Sequence, residues 1–226
     1  HPQEMINLVL ENKERVLPVF VDSLFLGVEV SEKLEEVDFS LIERLLHEFP
    51  CDMKSHRASY FCGIVEKISD ANWSLEVMEQ LKNIALKHCN PKLDNPNVTN
   101  LEDKEMKSCD MLHSNALNCV RGSAARVIGL LLWEDKELFS RFKDIIDGLT
   151  EDENPAVRFA SLYALWPSYN IDRKWAGEKI IYLYESDIRM ASFHNSKNMF
   201  FLLYPKYKER IINIIKKCFE SEDKQL

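Results

Sequence analysis

Cys109 and His113 stand one helical turn apart, and His88-Cys89 stands across a polar interruption from them. Two thiols and two imidazoles make a set of soft donors that would suit zinc. Their spacing matches no common zinc module, and no C-x-x-C pair occurs among Cys51, Cys62, Cys89, Cys109, Cys119 and Cys218. Free cysteine is ordinary packing material, so reduced thiols without a metal are the expectation. His47-Glu48 is a single pair that lacks the second histidine of H-E-x-x-H. No G-x-x-x-x-G-K-S/T run is present, and no two glycines lie close enough to cradle a phosphate. No catalytic residue, cofactor or metal ligand is therefore assigned.

Four arginines recur in similar company: His56-Arg57, Val120-Arg121, Val157-Arg158 and Ile188-Arg189, each followed by small residues. They are 64, 37 and 31 residues apart. A ladder of guanidinium groups is one way to hold phosphates or carboxylates. The plainer expectation is that each arginine bonds the acidic turn of a neighbouring unit, such as Asp52 or Asp152, since bidentate pairing suits that task. Arg57, Asp52 and Asp152 are read as structural on this basis. Arg121, Arg158 and Arg189 are candidates for contact with a partner. So are Ser114 and Asn118, which border the apolar face of residues 111–133.

The elements that carry these arginines are clearest in DKELFSRFKDIIDGLTEDENPAVRFASLYALW, Asp135 to Trp166. Asp135 is a suitable N-cap. Leu138, Phe142, Ile145 and Leu149 then recur at spacings of four, three and four, which is one apolar face of a helix. Thr150 to Glu153 is too acidic to bury. Asn154 caps a second helix and Pro155 suits its first position, where no donor is lost. Val157, Ala160, Ser161, Ala164 and Leu165 form its inward face, and Pro167 is expected to end it. A helix pair of this kind cannot bury its stripe alone and needs neighbours.

Two helices, an acidic turn, then Val-Arg and small residues resemble a HEAT repeat, on Leu149, Asp152, Pro155, Val157, Arg158, Ala160, Ala164 and Leu165. The resemblance implies an all-α, right-handed α-α superhelix of the HEAT/armadillo kind, a solenoid of about four helical pairs plus terminal helices. Pairs are expected at 39–69, 74–134 with a loop over 89–103, 135–167 and 172–204, with a terminal helix at 205–220. Before them, Pro18 ends one helix of Met5 to Leu26 and opens another. Ser40 and Glu43 form a capping box, Ser74 caps the next pair, and one helix is expected from Met111 to Trp133. Ile188-Arg189-Met190-Ala191-Ser192-Phe193 echoes Val157 to Leu162 and is placed in a second helix.

Glycine numbers 6 and proline 8 in 226 residues, which favours helices joined by short turns. No run of eighteen apolar residues and no signal-peptide pattern occur, so a cytoplasmic protein without a membrane span is expected. The net charge of -8 is uneven: 12 Lys/Arg oppose 21 Asp/Glu through His113, and 17 oppose 16 beyond it. An acidic front half argues against wrapping nucleic acid. The dense basic run of Lys206, Lys208, Arg210, Lys216 and Lys217 reads as a solvated helix face. The chain opens on His1-Pro2, and Tyr207 to Asp223 looks like the first half of another repeat, so one domain cut from a longer array is expected.

Three families with HEAT-like arrays suggest functions. Iron hydroxylases need several His-Glu pairs, and this chain has one. DNA alkylation-repair glycosylases set aromatic side chains beside an aspartate, as Trp133, Trp166 and Trp175 lie near Asp135 and Asp172; that enzyme is the alternative reading, and the charge opposes it. The run NALNCVRGSAARVIGLLL, Asn115 to Leu132, followed by NPAVRFASLYAL, looks like the C-terminal repeat region of large bacterial STAND-type ATPases. That resemblance implies a sensor or scaffold segment whose ATPase chemistry lies outside it. The expectation is a non-catalytic module for binding a protein partner.

Overall fold

The computed structural model describes residues 2–91, 108–223 and 226; most of the loop expected at 89–103 lies outside the described residues. Among the described residues all regular structure is helical: α1 (Pro2–Glu11), α2 (Pro18–Glu29), α3 (Phe39–Glu48), α4 (Arg57–Lys67), α5 (Leu75–Lys87), α6 (Cys109–Asn118), α7 (Val120–Glu134), α8 (Phe139–Thr150), α9 (Pro155–Ser168), α10 (Arg173–Ser186) and α11 (Ser196–Glu220). Short 3-10 turns occupy Leu34–Glu36, Lys136–Leu138 and Ile188–Ser192. None of these helices is long and apolar enough to cross a membrane.

Short polar side chains start α3, α6, α9 and α10, because each accepts from an otherwise unpaired first-turn amide. Asn154 Oδ1 accepts from the Ala156 N–H at 3.0 Å, and Asp172 Oδ1 from the Trp175 N–H at 3.0 Å. Asp135 Oδ1 accepts from the Glu137 N–H at 2.8 Å and opens a 3-10 turn before α8. Pro18 is the first residue of α2. The expected box of Ser40 and Glu43 is replaced: Asp38 caps α3 through the Ser40 N–H at 2.9 Å, while Glu43 reaches across to the Ser74 N–H at 2.6 Å. Ser74 stands at the start of α5 without a side-chain cap. Pro167 does not end α9, which runs one residue further. A proline in the last turn removes only its own donor, and Tyr169 N–H still bonds the Leu165 carbonyl at 3.0 Å.

The single helix expected from Met111 to Trp133 is two. Cys119 is extended, with φ -92° and ψ 146°, and its Sγ accepts from the Gly122 N–H at 3.3 Å. Asn90 meets the other early amides of α7: its Oδ1 accepts from the Val120 N–H at 3.1 Å and its carbonyl from the Arg121 N–H at 3.2 Å. Gly122 lets the chain turn this sharply, since a Cβ there would lie 2.8 Å from Cys119 Sγ and collide with the Ala116 carbonyl. The echo at 188–193 is also displaced. Arg189 folds back on Asp187, the cap of its own turn, and the segment closes as a 3-10 turn before α11 begins. Within α11, Pro205 precedes a non-helical Tyr207, φ -117° and ψ 29°, so the expected terminal helix follows a kink.

The helices pack in two rows. In the first, α1 meets α3, α3 meets α5, α5 meets α8 and α8 meets α10. In the second, α2 meets α4, α4 meets α7 and α7 meets α9. The rows join through α1 with α2, α5 with α7, α8 with α9, and α9 with α10. Helix α6 is extra to both rows and lies on α7, α9 and the 188–192 turn. One cluster of buried side chains runs through the whole arrangement, from Ile6 to Ile214. At Gly129 the second row is so close that a Cβ would sit 2.7 Å from the Tyr163 carbonyl carbon of α9.

Candidate interaction surface

Three of the predicted residues meet at one turn. Arg121, on the first turn of α7, donates from Nη1 to Asp152 Oδ2 and from Nη2 to the Pro91 carbonyl at 3.1 Å. Asp152 Oδ1 accepts from the Asn154 N–H at 2.8 Å, so this carboxylate both orders its own turn and holds the preceding row helix. Arg158, on α9, donates from Nη1 to the carbonyls of Asp152 and Glu153 at 2.7 and 3.1 Å. The other arginines act elsewhere. Arg57 Nε pairs with Asp22 at 2.7 Å, tying α4 to α2, and Asp52 accepts from the Lys54 N–H of its own turn at 3.1 Å. Arg189 pairs with Asp187 at 2.6 Å. Arg57 thus bonds a helix of the preceding pair where an acidic turn was expected.

Ser114 and Asn118 are both exposed on α6, with Asn118 Nδ2 donating to the Ser114 carbonyl at 2.8 Å. Arg121 lies past the break at Cys119, so the expected polar stripe crosses from α6 to α7. Beside it runs a group that the sequence reading missed. Tyr163 of α9 bonds His113 of α6 at 3.4 Å and stacks edge-on against Phe193, with His194 next to both rings. Phe159 lies under His113 and Phe193. Arg126 of α7 reaches Glu66 of α4 at 2.6 Å. Partial burial raises the Tyr163 phenol above its ordinary pKa; desolvation, and then His113, lower that of His194. Phe159 and Tyr163 are four residues apart on one helix face, the one signal available in the sequence.

The soft donors do not converge. His88 lies between the Ser55 carbonyl, 3.1 Å from Nε2, and the Asn90 N–H, which donates to Nδ1 at 3.1 Å. Cys109 is buried at the start of α6, where its N–H donates to Asp223 Oδ2 at 2.8 Å, and burial pushes its thiol up to about 12. Among the described residues no three His, Cys, Asp or Glu side chains gather as metal ligands. His47-Glu48 is turned to other work, with Glu48 pairing Lys13 at 2.7 Å.

The tryptophans and their aspartates are likewise dispersed in role. Asp172 is held below the usual carboxylate range by the Trp175 N–H and then by Lys143, 3.0 Å away. Lys143 also lies over the Trp175 and Phe139 rings at 5.1 and 5.4 Å. Trp166 packs on the core, while Trp133 is 50% exposed. In the basic run, Arg210 is bidentate to Glu185 at 2.8 and 2.6 Å and bonds Glu178 at 3.0 Å. Lys206 lies 3.9 Å from Glu178, so α10 neutralises part of the positive charge on α11. Compared with known protein families, curated proteins and solved structures, the chain matches none.

Proposed function

We propose that this chain is a right-handed HEAT/armadillo-like solenoid that serves as a non-catalytic scaffold or sensor for a cytoplasmic protein partner. The observation that supports it is the order of packing: α1, α3, α5, α8 and α10 follow one another side by side, as do α2, α4, α7 and α9. Stacking of that kind turns successive second helices into one extended surface. Helix α6, which carries Ser114, Asn118 and His113, lies on α7 and α9 of the second row, and those two helices carry Arg121 and Tyr163. Recognition there rests on shape and scattered polar contacts. The same architecture suits the sensing segment of a bacterial STAND-type ATPase. The glycosylase alternative is weaker, because Asp172 already serves as a cap and ion-pair acceptor and a depressed pKa makes it a poor base.

The test is reconstitution. A protein captured with the intact chain is purified and titrated against it and against a Ser114→Arg/Asn118→Arg variant of unchanged helicity. Binding that the variant loses at least tenfold supports this surface. Binding that the variant leaves intact, or base release from alkylated DNA by the purified chain, overturns the reading.

A further inference from the structure

The Tyr163–His113–His194 group holds more hydrogen-bond donors than acceptors. His113 Nε2 and Tyr163 Oη, 3.4 Å apart, share one contact, although the imidazole and the phenol each carry a hydrogen. Whichever donates, the other hydrogen has no acceptor among the described residues. Asn195 Nδ2 lies 2.8 Å from His194 Nε2 and donates to it. That places the His194 proton on Nδ1, where the described residues offer no acceptor. Arg126 of α7, whose charge acts on Tyr163, gives Nη2 to Glu66 at 2.6 Å, while its Nε is buried without an acceptor.

The charges that act on the group are positive: Arg126 on the Tyr163 phenol, and His113 on His194. The other ionic groups on the elements against α6 are already engaged. Asp187 and Arg189 pair with each other, and Arg121 and Arg158 bond the Asp152 turn. Asp110, one turn before His113, and Lys197, three residues after His194, are exposed. Beneath the donors lies an aromatic floor, with Phe159 5.6 Å from the His113 ring and Phe193 4.3 Å from that of His194. His194 is exposed and Tyr163 and His113 are half-buried, so the group is open to solvent.

We infer that this group receives a side-chain carboxylate of the protein partner, one oxygen on the His113–Tyr163 pair and the other on His194. The inference rests on the partner surface proposed above, which shares helix α6, and names the chemistry recognised there. A surplus of donors calls for an acceptor, and the positive surroundings call for an anion. One guanidinium already shared with Glu66 suits a single negative charge better than a phosphate dianion, and the net charge of -8 repels a polyanion. Burial, and then His113, hold the His194 imidazole below its ordinary pKa. A carboxylate set between the two rings reverses the second effect, so capture tightens as pH falls.

Imidazole resonances of the full chain test this as a blocked tetraglutamate peptide is added, with tetraglutamine and inorganic phosphate as comparisons. Tetraglutamate is expected to move His113 and His194 and raise their apparent pKa, while the exposed His47 and His56 stay unmoved. It should bind at least about threefold tighter near pH 6 than near pH 7.5. Tetraglutamine should move neither ring, and phosphate should bind more weakly. Tyr163→Phe, which keeps the ring packing, should weaken the peptide, and His113→Gln/His194→Gln should abolish its binding. The wild-type titration decides the matter even if that double variant misfolds. Silent imidazoles, an equal response to tetraglutamine, or tighter binding of phosphate would overturn the inference. Silent imidazoles beside a partner titration that Ser114→Arg/Asn118→Arg still weakens sink the carboxylate site alone. Imidazoles that respond while that variant binds the partner normally sink the wider surface instead.

Discussion

Arg121 and Asp152 form an ion pair in which only 12% and 11% of the two side chains remain exposed, and it joins α7 to the turn that starts α9. Neither group can return to water while the helices stay packed. Removing one leaves the other buried and unmatched.

Arg121→Ala is therefore expected to lower unfolding free energy by about 3 kcal/mol. Asp152→Ala is expected to cost more, since the Asn154 N–H also loses its acceptor. In a double-mutant cycle read by urea unfolding, the pair should show a coupling of about 1–3 kcal/mol. Additive effects would mean that the two residues act separately.

Two glycines should respond oppositely to the same change. Gly129→Ala places a methyl group against the Tyr163 carbonyl and forces α7 from α9, at a cost of about 1–3 kcal/mol. Gly27→Ala meets nothing within 4 Å and should stabilise α2 by up to about 1 kcal/mol. Thermal melts of the two variants, moving in opposite directions from the parent, check both.

His88 sets part of the acid sensitivity. It is 4% exposed, and desolvation lowers its pKa below the ordinary 6.5. The unfolded chain then binds a proton that the folded chain refuses, so stability rises with pH. The contribution is complete above about 6.5 and is lost as pH falls from there toward the folded pKa. Asp172 has the same sign in a lower window, below the usual carboxylate range. His88→Asn should lower stability at neutral pH and flatten its decline as pH falls below about 6.5. An unchanged slope in denaturation at several pH values would count against this.

Thiol reactivity should separate one cysteine from the rest. Burial pushes Cys51 and Cys109 up to about 12 and Cys119 to about 11, and raises Cys62 further. Cys89 is exposed, and Cys218 is partly so. A native chain treated with a disulfide reagent at neutral pH should show one fast thiol. Cys89→Ser should abolish that phase. A fast phase that survives would place the reactive group elsewhere.

Much of the helical layout was readable because its signals are local. Asn154-Pro155, Asp172 and Pro18 mark helix starts through bonds or dihedrals confined to a few residues. What escaped depends on distant groups. The break at Cys119 is satisfied by Asn90, thirty residues away in sequence, and cysteine is an uncommon cap. Glu43 left its helix for Ser74 in the same way. Ile188 to Phe193 matched Val157 to Leu162 in residue type, yet the pairing of Arg189 with Asp187 draws it into a 3-10 turn. The arginine ladder was legible as a recurrence, but the acceptor of each arginine was set by packing. The His113–Tyr163–His194 group, drawn from three separated segments, had only the four-residue spacing of Phe159 and Tyr163 to announce it.

Helix α6 changes how the packed helices come apart. Helices that touch only their immediate neighbours can fray from either end, one at a time. Here the Cys109 amide is tethered to Asp223, 114 residues along the chain, and the same helix lies on α9 and the 188–192 turn. The C-terminal helices therefore cannot peel off while α6 stays seated, and loosening it frees them together. Opening of the C-terminal half becomes one cooperative event, governed by a ten-residue helix that belongs to neither row.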